Sequence, residues 1–376
     1  MPRLSAFAPR TTAFRGAKRD TNAAPLFTIC PLPDSLLATC DVIRDGLLNV
    51  FKPVGFTSRD VVDRVSRALR QKRCGHAGTL DPLAEGVVVV CCGQATRLVP
   101  RVQDTTKLYL AEFVLGCRSD TDDICGDVRS FWSDDAEPPA WSAVRTHRES
   151  IRARVEEFVP LAIPEGIVWP DEATVRSALA GFEGDVEQVP PIYSAVKIEG
   201  RRAYHLARTG RPVELTARVV RIDRATLIDY APPRLTVEIE CGSGTYVRSV
   251  GRDLGDRLGV GAVMSRLLRS GVGPFTRETA VPLDTIHKST ISEHLLPLQA
   301  AVPDLSTWSC DAAAENEILH GRVIVRPFPT DDAPDDATEF ALLAPSGRLL
   351  SVARYDATAA CLRPVIVFPP AEPSAD

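Results

Sequence analysis

Residues 75–86 are Gly75-His76-Ala77-Gly78-Thr79-Leu80-Asp81-Pro82-Leu83-Ala84-Glu85-Gly86, and the apolar run from Val87 to Cys92 follows them directly. Gly75 and Gly78 let the backbone turn tightly without a Cβ clash. Pro82 fixes its own φ and restricts Asp81, the residue before it, to extended geometry. An Asp-Pro pair alone is typical of a plain turn. In this setting the pattern predicts a stiff loop that holds one carboxylate at the mouth of a buried strand.

Four further segments agree with a known family in content and order: residues 52–58; residues 107–109 with 115–116 and 119–122; residues 184–197; and residues 244–249. Together with the Asp81 segment they resemble the motifs of the TruB-type pseudouridine synthases, which isomerise a uridine in the T arm of tRNA. The resemblance extends over roughly residues 47–275.

The resemblance implies an α+β fold with a pseudouridine synthase catalytic domain at residues 47–298, built on a mixed, mainly antiparallel sheet with flanking helices. It also implies a small β-rich, PUA-like, RNA-contacting domain at residues 299–370. Residues 127–170 are longer than the family pattern and rich in acids and prolines, so we expect a surface insertion there. Residues 1–46 begin basic and acid-poor, which favours a disordered extension over an organelle transit peptide.

The residue pattern also predicts individual elements. Thr57 and Ser58 supply helix-start chemistry before apolar residues at helical spacing, and Asp171 is a second candidate N-cap. Alternation over residues 235–241 predicts a half-buried strand, and apolar residues at helical spacing after residue 246 place Arg248 near a helix start. The remaining predictions are strands at 46–51, 87–92, 107–115 and 362–368, a helix at 312–319, and an acidic loop at 331–339.

By resemblance, Asp81 is the catalytic carboxylate, Tyr109 lies against the target base, and Arg248 is the partner of Asp81. The carboxylate must be ionised at neutral pH, and an adjacent cation favours that form. We therefore expect a buried Asp81–Arg248 pair. A tyrosine in a strand is usually a core residue, so the placement of Tyr109 depends on the resemblance.

Other residues are expected to contact the substrate or support those that do. By resemblance His76 takes part in base flipping, while Tyr246 and Lys52 are substrate contacts or lie behind them. Arg201 and Arg202 are candidate phosphate contacts, as are the arginines of residues 64–73.

The chain has 376 residues, a 44% hydrophobic content and a formal net charge of −5. This length predicts two to three domains. Residues 59–107, 197–224 and 244–277 carry net charges of +4, +5 and +4, so basic charge collects in the motif-bearing segments. Such clustering is typical of a polyanion-binding surface, although solvated arginine-rich helices have the same composition.

The ten cysteines and six histidines show no metal-ligand spacing, so reduced thiols in a cytoplasmic protein are expected, with no cofactor and no metal. Asp120, Asp122 and Asp123 lack a calcium-loop pattern and are interpreted as structural.

No apolar run approaches the length of a membrane helix. The expected partner is the tRNA T stem-loop, with a monomeric enzyme and no obligate protein partner.

Two other functions stay open at this stage. The first is an RNA-binding or tRNA-folding protein on the same scaffold, against which the joint presence of the catalytic residues argues. The second is a pseudouridine synthase that acts on another RNA, as guide-RNA-dependent archaeal and eukaryotic relatives do. The short C-terminal region and the insertion do not resemble those relatives, so the stand-alone bacterial form is favoured.

Overall fold

The computed structural model describes residues 45–132, 147–161, 163–194, 196–198, 201–202, 215–325 and 334–370. All of them belong to the unit Val42–Asp376. The extension predicted at residues 1–46 lies outside the described residues except for its last two, and the first part of the acidic loop predicted at 331–339 also lies outside them.

Six α-helices occur in the described part of the chain, and short 3₁₀ turns supplement them. The helices are α1 Ser58–Leu69, α2 Val99–Asp104, α3 Arg148–Glu157, α4 Glu172–Ala180, α5 Val247–Arg257 and α6 Ala312–Leu319. The 3₁₀ turns are Gly93–Leu98, Arg277–Thr279, Leu283–Thr285, Ile291–His294 and Leu298–Ala301.

Nineteen strands are described. They are β1 Gly46–Lys52, β2 Cys74–His76, β3 Glu85–Cys92, β4 Lys107–Leu115, β5 Cys117–Ser119, β6 Val128–Ser130, β7 Gly184–Gln188, β8 Lys197–Ile198, β9 Arg201–Arg202, β10 Arg218–Ala231, β11 Arg234–Cys241, β12 Ala262–Val272, β13 Phe275–Thr276, β14 Val281–Pro282, β15 Ser306–Ser309, β16 Ile324–Val325, β17 Glu339–Leu343, β18 Leu349–Asp356 and β19 Cys361–Val367.

Ten strands form the large sheet, in the order β14-β1-β3-β12-β4-β11-β10-β7, with β2 on β3 and β13 on β12. Its pairings are antiparallel except β1 with β14 and β3 with β12. A second sheet of five strands has the order β15-β17-β18-β19-β16. The predicted mixed, mainly antiparallel sheet with flanking helices is therefore confirmed, and the chain after residue 305 is rich in strands as expected.

Both faces of the large sheet are covered near β3. Val88 and Val90 belong to the core that includes helix α1. Val87 and Val89 face a second core, which also contains residues of the five-stranded sheet such as Leu349. Burial on two faces explains why β3 is a continuous apolar run rather than an alternating one.

The local signals in the sequence agree with the observed element ends. Thr57 caps α1 in a capping box with Asp60, and Asp171 caps α4 through the Thr174 N–H. Strand β11 alternates between buried and half-buried residues, as the pattern over 235–241 predicts.

The predicted insertion at 127–170 is described only in part, and Trp141 lies outside the described residues. Trp132 and Trp169 contact each other edge to face, with ring centroids 6.0 Å apart. Helix α3 buries Ile151 in the core that contains α1. One side of this segment is therefore packed into the protein. The domain boundaries drawn from the sequence stay predictions.

One row of the sheet matters for function. Register pairs Lys52 with Gly86, Gly86 with Arg269, Arg269 with Tyr109, and Tyr109 with Ile239. Residues directly opposite each other in neighbouring strands point to the same face. Two cationic side chains and a phenol therefore lie in one line across the sheet.

Candidate active site

The Asp81 loop, residues 77–84, connects β2 to β3 and is fixed by contacts along its length. Gly78 has a φ of +117°, a conformation that favours glycine. The Leu80 N–H donates to Ser58 Oγ at 2.8 Å, and the Pro82 carbonyl accepts from the Gly55 N–H at 2.8 Å. The Asp81 loop is therefore held by helix α1 and by Gly55, which precedes that helix. These contacts agree with the stiff loop predicted from the sequence.

Arg248, in the first turn of α5, forms two hydrogen bonds with the Asp81 carboxylate. Its Nε donates to Asp81 Oδ2 at 2.8 Å and its Nη2 donates to Oδ1 at 3.2 Å. The Arg248 side chain is 6% exposed and that of Asp81 is 32% exposed. A two-point contact of this kind fixes both distance and orientation. The structure thus brings together two residues that the resemblance paired, with one carboxylate reachable from solvent.

Further acceptors hold the Arg248 guanidinium. The carbonyls of Thr121 and Tyr193 accept from Nη1 and Nη2 at 3.0 and 3.1 Å. Asp123 Oδ2 lies 3.7 Å from Nε. Burial opposes the charge on Arg248, but the nearby carboxylates, Asp81 foremost, outweigh burial and raise its pKa. Arg248 is therefore a permanent cation.

Asp122 and Asp123, which are interpreted as structural from the sequence, make such contacts, and Asp123 also lies beside Arg248. Asp122 pairs with Arg252 at 2.8 Å, and Asp123 Oδ1 accepts from Thr121 Oγ1 and the Cys125 N–H, both at 2.8 Å. Burial raises the pKa of Asp123, and Arg248 opposes that rise. Sequence reasoning missed the contact between Asp123 and Arg248, although three acids within four residues beside a motif were a usable signal.

Tyr109 lies in β4 on the face of the sheet that carries the α1 core, and it is 9% exposed. Burial raises the pKa of its phenol, and the Arg269 guanidinium opposes this rise. The Asp81 carboxylate is close enough to add to the rise in the pKa of Tyr109.

Arg269 is a site residue that the sequence did not reveal. It is 2% exposed, and it donates from Nε to the Val87 carbonyl at 2.7 Å. Its Nη1 and Nη2 donate to the carbonyls of Thr79 and Gly78 at 3.3 and 3.2 Å. One guanidinium therefore connects β3, the Asp81 loop and Tyr109. Strand β12 carries a second, exposed arginine, Arg266, so the sequence alone did not single out Arg269 as the buried one.

Lys52 lies behind the site rather than at its surface. It is fully buried, and its amine donates to the carbonyls of Pro53, Phe56 and Ala84. Burial lowers the pKa of Lys52 to about 7, and Asp81 opposes that shift. The three acceptors match the three N–H donors of the ammonium form. Lys52 thus connects residues 52–58 to Ala84, the last residue of the Asp81 loop.

The remaining predicted contacts lie on three different elements. His76 ends β2, opposite Val90, and is half-buried. Tyr246 is the residue before α5, and its backbone N–H and carbonyl are both bonded to the Gln188 side chain. Arg201 and Arg202 form β9, which pairs with β8, and the structure describes only their backbone.

No group of three or more potential ligands in the described ranges is arranged to hold a metal ion. Across the same residues, none of the helices is both long and apolar enough to span a membrane. The site contains a carboxylate held by a permanent cation, with a buried phenol close by. Such a set can supply nucleophilic, acid-base and stacking chemistry.

Solved structures share this fold. The chain aligns with a structure of an H/ACA ribonucleoprotein bound to a substrate RNA containing 2′-deoxyuridine, with a TM-score of 0.59 and 19% identity, covering 88% of this chain and 86% of that one. The archaeal box H/ACA Nop10-Cbf5 complex gives a TM-score of 0.58 and 20% identity, covering 88% of each chain. At this identity the likeness concerns the fold alone.

Sequence relatives are closer. A protein named tRNA pseudouridine synthase B from Burkholderia mallei is 38% identical over 281 residues, which is 74% of this chain and 82% of that protein. Proteins of the same name from Synechocystis and Bacillus licheniformis are 36% and 34% identical, over 75% of this chain and 86% and 84% of theirs.

Family models match the segments that build the site. The N-terminal domain of the TruB family pseudouridylate synthases matches residues 66–163 and 162–247, which include Asp81 and Tyr109. The C-terminal domain of tRNA pseudouridylate synthase B matches residues 248–303, which include Arg248 and Arg269. With relatives above 30% identity over most of their length, the chain belongs to the TruB family of pseudouridine synthases.

Proposed function

We propose that this protein converts uridine 55 in the T loop of tRNA to pseudouridine, with Asp81 as the catalytic carboxylate. The observation that carries the proposal is the two-point contact of Arg248 with a partly exposed Asp81, at 2.8 and 3.2 Å. A protein that only binds RNA has no need to fix one carboxylate against a buried cation. The names of the relatives at 34–38% identity support tRNA as the substrate.

The reaction is an isomerisation, and its atoms balance without a co-reactant. The C1′–N1 glycosidic bond breaks, the uracil turns, and a C1′–C5 bond forms. The proton that C5 carried is then lost, and N1 gains a proton. Asp81 serves as a nucleophile toward the sugar or base, or as a base toward a sugar proton, and in each role Arg248 fixes the direction in which the carboxylate points.

Tyr109 is assigned to the flipped base. The target uridine is stacked in the T loop, so it must leave the stack before a side chain reaches it. Stacking on an aromatic ring contributes about 1–3 kcal/mol per base and offsets much of the flipping cost. The phenol hydroxyl is the group proposed to accept the C5 proton. His76 is proposed to take part in base flipping by occupying the space that the base leaves. Tyr246 is proposed to contact the substrate or to support a residue that does.

The protein is proposed to act as a monomer in the cytoplasm, with the tRNA T stem-loop as its partner and no obligate protein subunit. Arg201 and Arg202 are proposed phosphate contacts. The five-stranded sheet after residue 305 is proposed to contact the tRNA as a PUA-like domain.

The test measures tritium release from a T-arm transcript labelled at C5 of uridine, with no metal or cofactor added. The wild type is expected to release tritium and Asp81→Asn is expected to release none, while both bind the transcript equally. Asp185→Asn is the matched control, because its side chain is 70% exposed on β7. If the wild type binds without releasing tritium, the RNA-binding function replaces this proposal; equal release by Asp81→Asn removes Asp81 from its role.

A further inference from the structure

A cleft of about 490 Å³ lies between α1, α3 and the chain around residue 284. Four arginines line it, Arg64 and Arg67 from α1 and Arg148 and Arg152 from α3, together with the rings of Phe51 and Phe56. We call it the basic cleft. None of these side chains belongs to the Asp81 site.

Backbone carbonyls hold three of the four guanidinium groups. Arg64 donates from Nε to the Ile286 carbonyl at 3.0 Å and from Nη2 to the Asp284 carbonyl at 3.2 Å. Arg67 and Arg152 each donate from Nε to a carbonyl at 3.0 Å. A guanidinium has five N–H donors, so these anchors position the charge and leave donors for a ligand.

The charge in the basic cleft is positive overall. Asp60 and Asp284 are the two carboxylates among its lining residues, against four arginines. Asp60 is already engaged, because Oδ2 accepts from the Thr57 N–H and hydroxyl at 2.8 Å each and lies 3.5 Å from Arg148. An excess of anchored cations over carboxylates favours an anion.

Helix α3 packs against residues 52–58. The Arg148 guanidinium lies 3.6 Å from the centre of the Phe56 ring and that of Arg152 lies 5.4 Å from it. Gly55 permits this approach, because a Cβ there would lie 2.7 Å from Arg148 Cγ. The segment that is longer than the family pattern thus supplies half of the cationic groups in the cleft.

Residues 52–58 also contact the Asp81 loop. The Gly55 N–H donates to the carbonyl of Pro82, and Pro82 is the residue that follows Asp81. Residues 52–58 therefore contact both the Asp81 loop and, through Pro53 and Phe56, the basic cleft. Guanidinium groups are suited to phosphate because their donors match its oxygens in pairs.

We propose that the basic cleft binds a backbone phosphate of the RNA substrate, outside the uridine that is isomerised. This inference rests on the proposed function, since it takes the polyanion at the Asp81 site to be RNA. The shared chemistry is a phosphate group, and the cleft's position beside the Asp81 loop assigns it to the RNA backbone rather than to a free phosphate compound.

The experiment measures the equilibrium affinity for the tRNA transcript over a series of KCl concentrations. The variants are Arg148→Gln with Arg152→Gln, and separately Arg67→Gln, which leaves α3 untouched. Each arginine that contacts a phosphate is expected to lower the slope of log affinity against log salt by about 1. Arg176→Gln is the control, since this exposed arginine on α4 pairs with Glu172 and lies outside the cleft.

Slopes equal to that of Arg176→Gln in both variants would overturn the inference. Binding of inorganic phosphate that is lost in the variants, with the tRNA slope unchanged, would overturn the assignment to RNA and indicate a small phosphate ligand. A reduced slope in variants of a wild type that releases no tritium would support the cleft while rejecting the isomerase, so the two proposals fail separately.

Discussion

The Arg248 guanidinium and the Asp81 carboxylate, 167 residues apart in sequence, share two hydrogen bonds in the structure. The carbonyls of Thr121 and Tyr193 and the carboxylate of Asp123 fix the guanidinium from behind. The orientation of Asp81 therefore depends on a cation that is itself held at several points.

Arg248→Lys keeps the positive charge and loses the planar fork. We expect the single-turnover rate of pseudouridine formation to fall by about 100-fold or more, because a misplaced reacting group loses its alignment. The affinity for tRNA, measured in parallel by filter binding, is expected to change by less than about threefold. Arg257→Lys, at the far end of α5, is the control. A rate near that of the wild type would contradict the positioning role of Arg248.

Arg269 is expected to act as a positioning residue for the Asp81 loop and Tyr109. Arg269→Gln withdraws donors from the Gly78 and Thr79 carbonyls, and an unsatisfied buried acceptor costs about 1–3 kcal/mol. We expect the rate at saturating tRNA to fall by about 10- to 100-fold, with KM nearly unchanged. Arg266→Gln, exposed on the same strand, is the control.

The double variant Arg269→Gln with Tyr109→Phe separates the two routes by which Arg269 can act. If Arg269 acts through the phenol hydroxyl, its substitution costs less in the Tyr109→Phe background than in the wild type. Additive effects would indicate that it acts through the Asp81 loop. A purely structural role would instead lower the denaturation midpoint and leave the rate of the folded fraction unchanged.

Lys52 is expected to make stability depend on pH. Its pKa is about 7 in the folded protein and 10.5 in the reference state, so between these values the unfolded chain binds more protons. Stability then rises with pH from about 7 to 10.5, by up to about 1.4 kcal/mol per pH unit, and is lowest below pH 7, where the buried amine is charged.

The measurement is urea unfolding of the wild type and Lys52→Met at several pH values in this range. The free energy of unfolding of the wild type, minus that of Lys52→Met, is expected to increase with pH. Parallel curves for the two proteins would mean that Lys52 keeps its ordinary pKa in the fold.

Substitution of Gly86 is expected to lower the free energy of unfolding more than substitution of Gly184, because only Gly86 lies against another backbone segment. Both have positive φ, +116° and +99°, which costs a side-chain-bearing residue about 1–3 kcal/mol. A Cβ on Gly86 would lie 2.2 Å from the Arg269 carbonyl oxygen, whereas none of the described atoms lies within 4 Å at Gly184. Gly86→Ala should therefore destabilise the protein by clearly more than Gly184→Ala in urea unfolding; equal losses would contradict this geometry.

Local chemistry predicted much of the fold. The cap at Thr57, the cap at Asp171 and the alternation over 235–241 are each encoded within a few residues, because helix ends and strand faces depend on neighbouring side chains and backbone groups. The Asp81 loop also follows from its own glycines and proline. The resemblance added the partnership of Asp81 with Arg248, which the structure places in direct contact.

The sequence by itself determined the helices, strands and stiff loop that carry Asp81, Tyr109 and Arg248, since these follow from local preferences and from the family motifs. Only the tertiary structure decided that Arg269 stands opposite Tyr109, that Asp123 lies against Arg248, and that Lys52 is buried behind the loop. Those relationships depend on strand register and on which chain segments meet across the sheet. Such contacts join residues far apart in sequence, and no local pattern specifies them.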